Sequence, residues 1–437
     1  MSPAPDGRSM WEDTAPDAIV GPSLRGDRTV DVAIVGAGFT GLSTARHLIE
    51  RFPDRRIAVL EARTVGAGAS GRNGGMALHE VNGIPNDERE LTQRLYRLTT
   101  ETLDWIARVG VEAGAPAGFL RRDGSVVAHT EQQGAEAAHA EVERLQQWGL
   151  PLRWLDRAAL GGVLRAEGVV GGVLDPTTGQ LHGLAFLRAL AGWLRAHGVE
   201  IFEQTPVLRV DQGPVHRVHT ATGTVSAPFL VLGTNAWSPS LGFFRRGVFP
   251  LHSHLVATAP LPLADWAARG WGPIAGMYDD RARTAFASMT PDGRLVFGGG
   301  GNRAYDYHYG GPTEVPRPPE AQWAFVRGVL DRYLPGARDV ALAHRWSGAL
   351  AVTLDRRCGI GITGAHRNVG YGVGYSGHGV VMANLAGRVL CDLYSGERAA
   401  WAGLSFVDHV PGGVPPEPLR YVGYQLYTRL TGQAPRR

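Results

Sequence analysis

An α/β fold built around a parallel sheet is what this sequence predicts, and three observations carry that prediction. Asp31–Gly41, DVAIVGAGFTG, passes from a short apolar run into glycines. Residues 64–77, TVGAGASGRNGGMA, hold five glycines, at 66, 68, 71, 74 and 75. Residues 368–396 place glycines at 370, 372, 374, 377 and 379 ahead of an apolar helical stretch.

Taken in order, residues 1–29 read as an irregular N-terminal arm. Val32–Val35 is a continuous apolar run, as in a strand buried on both faces of a parallel sheet. Gly36, Gly38 and Gly41 follow in G-x-G-x-x-G spacing, which serves a tight turn, approach to a pyrophosphate, and helix–strand packing. Phe39–Phe52 reads as a helix with Leu42, Ala45 and Ile49 on one face, stopped by Pro53. Its first turn offers free N–H groups and a positive dipole end to phosphates. Strand Ile57–Glu61 closes the unit, and Glu61 stands where a carboxylate would hold a ribose hydroxyl. Nicotinamide and flavin dinucleotides both remain open at this point.

The glycines of residues 64–77 require a loop, one whose backbone can lie flat against a ligand. Asn86–Val109 reads as a long amphipathic helix with Asn86 as N-cap. Ala135–Trp148 is a second helix ended by Gly149, and Leu184–Leu194 a third, with Gly198 at its C-terminal cap. Strand Val199–Glu203, a hairpin of Val215–Thr220 with Thr224–Ala227, and buried strand Phe229–Leu232 follow. The last of these runs into the small-residue turn GTNAW at 233–237. Residues 250–300 alternate strand-like runs with turns; 312–319 is a Pro-rich linker or extended edge. Gln322–Tyr333 and Val380–Leu393 complete the helices.

At 437 residues the chain exceeds one ordinary core, so two domains are expected. A 44% hydrophobic and 19% charged composition is that of a soluble globular protein. No apolar run approaches the roughly 20 residues that span a bilayer, and the first 28 residues show no secretory h-region. Two cysteines, Cys358 and Cys391, form no CxxC or disulfide framework, which favours a reducing cytoplasm. All 44 basic residues are arginine, so Schiff-base, P-loop and general-base lysines are excluded. Arginine is scattered in pairs rather than in a stripe interleaved with aromatics, which argues against nucleic acid.

DVAIVGAGFTGLSTARHL with IAVLEA, GASGRNGG at 68–75, and GYSGHGVVMANLAGRVL at 374–390 together resemble the D-amino-acid oxidase-like FAD family. DPTTGQLHG (175–183), TPDGRLVFGGG (290–300) and PPEPLR (415–420) extend the resemblance over nearly the whole chain, and GASGRNGG with GYSGHG is most like its γ-glutamylputrescine oxidase branch. The resemblance implies a glutathione-reductase-type, Rossmann-like FAD-binding domain from residues 30–90, 165–245 and 340–437. A substrate domain with a mixed or antiparallel sheet would come from 91–164 and 246–339. It implies that Gly36, Gly38, Thr40 and Gly41 take the pyrophosphate, and that Glu61 and Arg63 lie at the adenosine. Ser70, Asn73, Gly75 and Met76 would approach the ribityl chain and flavin; Phe39, Ala62, Arg72 and Gly74 belong to the same site. Val207 would meet adenine through its backbone, and Thr234 would border the cofactor. Gly377, His378, Gly379 and Val380 would sit at the isoalloxazine, where a helix N-terminus suits the negative charge of reduced flavin.

The implied activity is oxidation of a primary or secondary amine: hydride passes to flavin N5 and the imine hydrolyses. Oxygen or another electron acceptor then reoxidises the flavin. The sequence departs from the family in three places. Gly348 stands where sarcosine oxidases carry their flavin-linking cysteine, so FAD is expected to be non-covalent; Cys358 reads as a small buried or turn cysteine. Val380–Val381–Met382 replaces a carboxylate-clamping lysine, and the oxygen-assisting lysine is missing too. An arginine would have to serve either role.

For substrate, His79 and Glu80 offer a hold for an ammonium, or merely a solvated turn. Phe286 and Trp346 offer an aromatic cavity wall, or core packing. Tyr375 and His378 are the candidate catalytic side chains, with structural hydrogen bonding as the alternative for His378. His252 and His254 form H-x-H without an evident third ligand, so no metal is expected. Rival readings are a dehydrogenase feeding a carrier, a tailoring enzyme for an amino-bearing natural-product intermediate, and a flavin-bearing subunit without turnover. An NAD-linked dehydrogenase would leave 68–75 and 374–380 unexplained.

Overall fold

The computed structural model describes residues 7–17, 19–81, 83–315 and 318–430. Val32–Val35 is buried at every position and lies inside a six-stranded sheet. Across that sheet run Glu200–Phe202, Ile57–Leu60, Val32–Val35, Phe229–Leu232, Val369–Val373 and Gly359–Thr363. All pairings are parallel except the last, so the inner strands are apolar runs covered on both faces. Val35, Leu232 and Val373 end their strands on one edge, where ligands of open α/β sheets bind.

Helices Phe39–Arg51 and Gly379–Tyr394 both start at that edge. They pack closely against each other: Ser43 Oγ donates to the Asn384 carbonyl (2.6 Å), and any side chain on Gly387 would overlap Ser43. The two helix N-termini are thereby held side by side.

A nine-stranded mixed sheet forms the second layer, its longest strands Phe249–Thr258 and Leu342–Val352 paired antiparallel. One pairing in it, Ser125–His129 with Gly276–Asp279, is parallel. Gly171–Asp175 and Leu342–Val352, placed by sequence among the cofactor segments, are strands of the mixed sheet. Their ladder partners, Ser125–His129 and Phe249–Thr258, decide this.

The N-terminal arm also differs from expectation. Met10–Thr14 is a helical turn started by a Ser9/Glu12 capping box, and Met10 and Trp11 are buried. Arg28–Thr29 adds a strand beside Thr224–Ala227. The long helix runs Arg89–Glu112 with Glu88, not Asn86, at its N-cap; the Asn86 carbonyl instead accepts from Arg144 (2.8 Å). Gln132–Gln147, Gly183–Ala196 and Glu320–Tyr333 match the other expected helices within a few residues. The Pro-rich stretch 312–319 includes residues 316 and 317, outside the described ones. Cys358 and Cys391 are buried and unpaired. Among the described residues no helix is long and apolar enough to cross a membrane.

Candidate functional site

The first glycine turn is closed by sterics. Gly36 has φ +99°, and a side chain on Gly41 would overlap the Gly36 carbonyl oxygen. Gly38 caps helix Phe39–Arg51 without a side-chain acceptor of its own; of the first-turn N–H groups, that of Phe39 is taken by Ser70 Oγ. Glu61 leaves its strand beside this turn. Its carboxylate accepts from Ala37 N–H (2.9 Å) and Arg63 N–H (3.0 Å). Burial pushes the Glu61 carboxyl up despite those two bonds. Arg63 donates to the Ala67 carbonyl (2.9 Å).

The loop 68–75 is held from behind. Four consecutive carbonyls each take an outside donor: Ser9 Oγ to Gly71 (2.7 Å), Trp346 Nε1 to Arg72 (3.0 Å), Trp11 Nε1 to Asn73 (2.7 Å) and Ser288 Oγ to Gly74 (2.6 Å). Asn73 closes the loop on itself, donating to Ser70 O (2.8 Å) and accepting from Gly75 N–H (2.8 Å). Ser70 Oγ accepts from Phe39 N–H (3.1 Å), which ties this loop to the first helix. With its carbonyls drawn backward, the loop presents its other side to a cavity of about 1080 Å³.

The second glycine turn borders the same cavity. Gly377 has φ +100°, and a Cβ built on it would meet nothing within 4 Å. His378 caps helix Gly379–Tyr394 without a side-chain bond. Gly374 N–H donates to Asn235 Oδ1 (3.0 Å). Tyr375 also lines the cavity, and its hydroxyl lies 2.7 Å from Thr40 Oγ1, which joins the two turns.

Of the residues singled out by sequence, Gly36, Gly38, Phe39, Thr40, Glu61, Ala62, Arg63, Ser70, Asn73, Gly74, Gly75, Met76, Val207, Thr234, Gly377, His378, Gly379 and Val380 line this one cavity. Gly41 does not, since its place is against Gly36. Arg72 lines it, yet its guanidinium turns back to the Gly7 and Ser347 carbonyls (3.1 and 3.2 Å) and to Glu12 (3.3 Å). Trp346 is fully buried behind the loop and forms no cavity wall. Phe286 does line the cavity, its ring against Gly74.

His79 and Glu80 both line the cavity, and they differ in what holds them. His79 is buried, with ring nitrogens 2.9 Å from Thr99 Oγ1 and 2.8 Å from Thr177 Oγ1; burial lowers its pKa. Glu80 Oε2 lies 3.3 Å from His378 Nε2 and accepts from the Tyr278 hydroxyl (3.0 Å). Burial alone would raise the Glu80 carboxyl, but His378 and Tyr278 outweigh it and hold it at about 2. Burial likewise opposes charge on His378, and the Glu80 carboxylate overcomes it, so the imidazole pKa is raised. Tyr278 is pushed well up by burial and by Glu80.

Sequence reasoning missed Tyr278, the loop-holding donors Ser9, Trp11 and Ser288, and three arginines that line the cavity, Arg281, Arg283 and Arg356. Nothing local in the sequence marks them. His254 is taken up by Ser347 (2.8 Å) and Asp306 (3.1 Å), and among the described residues no group of three ligands is placed to hold a metal.

Two uncapped helix N-termini, a glycine loop with its carbonyls withdrawn, and a carboxylate at a strand end suit a dinucleotide bearing a pyrophosphate and a second anionic centre. The comparisons agree. A family model described as FAD dependent oxidoreductase matches residues 31–393. A probable oxidoreductase, OrdL, of Haemophilus influenzae is 27% identical over 444 residues, covering 97% of each chain. The gamma-glutamylputrescine oxidoreductase of Escherichia coli K12 is 29% identical over 398 residues, covering 88% of each. The crystal structure of glycine oxidase from Geobacillus kaustophilus superposes with a TM-score of 0.74 at 21% identity, over 88% of this chain and all of that one.

Proposed function

The chain belongs to the FAD dependent oxidoreductase family, and from that premise we propose that it oxidises a primary or secondary amine held beside Glu80 and His378. The observation that carries this reading is the Glu80–His378–Tyr278 cluster, set on the same cavity as the open N-terminus of helix Gly379–Tyr394. Bound FAD supplies the acceptor for the two electrons and the hydrogen released from the carbon that bears the amine.

The chain's own residues supply the rest. The first helix N-terminus and Glu61 would hold the pyrophosphate and adenosine end of the FAD, with Val207 and Thr234 lining the same cavity. The N-terminus of Gly379–Tyr394 favours negative charge at the reacting end. Glu80, held ionised far below neutral pH, offers the charge that recognises the substrate nitrogen, and the Tyr278 hydroxyl fixes its direction. Val380 and Val381 are apolar at the place of the family's clamping lysine, and they keep water from the reacting carbon. Neither cysteine lines the cavity, which supports non-covalent retention of FAD.

Anaerobic titration of the FAD-loaded protein tests this reading, with putrescine, γ-glutamylputrescine, sarcosine, glycine and D-alanine as the panel. Bleaching by an amine supports it, and rapid recovery in air makes the enzyme an oxidase. The chain's lack of lysine favours the second reading, in which recovery needs a carrier other than oxygen. A flavin that no amine bleaches or perturbs would sink the proposal. Acid precipitation should leave a colourless pellet; a yellow one would show a covalent link.

A further inference from the structure

Helix Leu419–Leu430 carries its aliphatic side on the outside. Leu419, Val422, Leu426 and Leu430 recur at i, i+3, i+7 and i+11, so they form one stripe along the helix. They are 64%, 50%, 51% and 82% exposed, the reverse of a stripe that faces its own core. The polar and aromatic side faces the protein instead. The Tyr424 hydroxyl donates to the Tyr305 carbonyl (3.4 Å), and Asn302 Nδ2 donates to the Thr428 carbonyl (3.0 Å). The Tyr421 ring meets those of Tyr307 and Tyr309, at 6.4 and 5.8 Å between centroids. The Arg283 guanidinium lies 5.3 Å from the centre of the Tyr427 ring. These bonds hold the helix in place and ask nothing of the aliphatic stripe.

Charge narrows what covers that stripe. Residues 418–437 contain Arg420, Arg429, Arg436 and Arg437 and no aspartate or glutamate. Glu417, just before them, is taken by the Tyr307 hydroxyl and the Tyr421 N–H (3.1 Å). The last seven residues, TGQAPRR, supply no large apolar side chain to lie over the leucines. A second copy related by a twofold axis sets the same stripe against itself and the same cations against each other, with no acid in the segment to separate them. A lipid surface with anionic headgroups answers both features. It takes aliphatic side chains into the headgroup and acyl boundary and gives guanidiniums phosphates to bond. Tyrosines suit that boundary as well, and the ring of Tyr309 is exposed beside the helix.

We propose that helix Leu419–Leu430 docks the protein on a membrane bearing anionic lipids, with the aliphatic stripe turned into the lipid. At 12 residues the helix is shorter than the roughly 20 needed to span a bilayer, so it lies in the plane of the surface. Arg283 and Tyr305, which hold the helix, also line the cavity, so docking brings that part of the cavity wall next to the lipid. The inference is independent of the substrate proposed above.

The test is sedimentation of the FAD-loaded full chain with vesicles of phosphatidylcholine alone, and of equal parts phosphatidylcholine and phosphatidylglycerol. The protein should sediment with the anionic vesicles, and less so as salt is raised. Leu426→Gln and Leu430→Gln should each weaken that binding about tenfold, through the lost burial of one leucine. Arg429→Gln should weaken it about fivefold, one cation's share at an anionic surface. Leu263→Gln, at an exposed leucine of another helix, should change nothing. All four positions are exposed, so FAD content and thermal melt should match the parent's. Protein that stays in the supernatant with anionic vesicles would overturn the proposal, as would binding that both leucine variants leave intact. A dimer in sedimentation equilibrium that the leucine variants dissociate, with no vesicle binding, would also overturn it and give the face to a second copy.

Discussion

The two glycine turns that open helices Phe39–Arg51 and Gly379–Tyr394 look alike in sequence and differ in what they need. In the first, a side chain on Gly41 would run into the Gly36 carbonyl, so the glycine serves the protein's own packing. In the second, a Cβ on Gly377 would meet nothing, so the protein itself leaves that space open. One turn is built to exist and the other to be approached. Glycine spacing therefore identifies both turns, and only the surrounding atoms say which of them faces the chemistry.

Gly41→Ala should have the largest effect. Overlap with a backbone oxygen has no side chain to yield, and such overpacking costs about 3 kcal/mol or more. Loss of soluble, folded protein is expected in a thermal melt with and without FAD. A variant that melts like the parent would break the contrast.

Gly377→Ala should be milder for the fold and harsher for the ligand. The left-handed backbone strains alanine by about 1–3 kcal/mol, while the methyl group enters the open space beside His378. FAD affinity should fall at least about tenfold, on the scale of 1.4 kcal/mol per decade, read by fluorescence titration of the apoprotein. Equal loss in Gly41→Ala and Gly377→Ala would show that both turns serve packing.

Trp11→Ala sharpens the comparison by testing a third loop that neither helix explains. Segment 68–75 keeps its shape through outside donors as well as close packing at its glycines, and Trp11 supplies both, donating to Asn73 and packing on Gly75. We expect FAD retention to drop about tenfold or more, equivalent to about 1.4 kcal/mol for the buried donor lost. The melt of the apoprotein should fall as well, because Trp11 is fully buried and emptying such a site costs about 3–5 kcal/mol. FAD binding equal to the parent's would mean that the arm is only attached to the loop and does not shape it.

Glu80→Gln should have the smallest effect on FAD and a definite effect on pH dependence. Glu80 is depressed from 4.5 to about 2, so its share of the ion pair is complete above 4.5 and fades as pH falls toward 2. His378 is raised above 6.5, so its share is complete below 6.5 and is lost as pH rises through the raised value. The pair is therefore whole between pH 4.5 and 6.5. In Glu80→Gln the largest group opposing burial on His378 is lost, and the limb it governs in the flavin spectrum should move to lower pH. A limb that stays in place would assign that titration to another group.

How far the fold was legible follows the same division. Val32–Val35 and the helix after it were readable because continuous burial and G-x-G-x-x-G sterics act over a few adjacent residues. Met10–Thr14 was not, since five residues carry no helical period and the turn is stabilised by a loop 62 residues away. His79 and Glu80 were indistinguishable as neighbours; Thr99 and Thr177 took one, and His378 and Tyr278 the other. Trp346 and Phe286 were equally plausible walls until Trp346 proved to be spent on the Arg72 carbonyl.

By itself, the sequence determined the parallel sheet, both glycine turns and the dinucleotide that they suit, because backbone sterics and hydrophobic period are local and survive without knowledge of any neighbour. Only the tertiary structure decided which side chains face the cavity. Glu80, Tyr278 and His378 meet across 198 residues and more, and Gly171–Asp175 joined the sheet that offered it a ladder. Such choices are made by competition among distant hydrogen-bond partners, and that competition is settled only when the chain is folded.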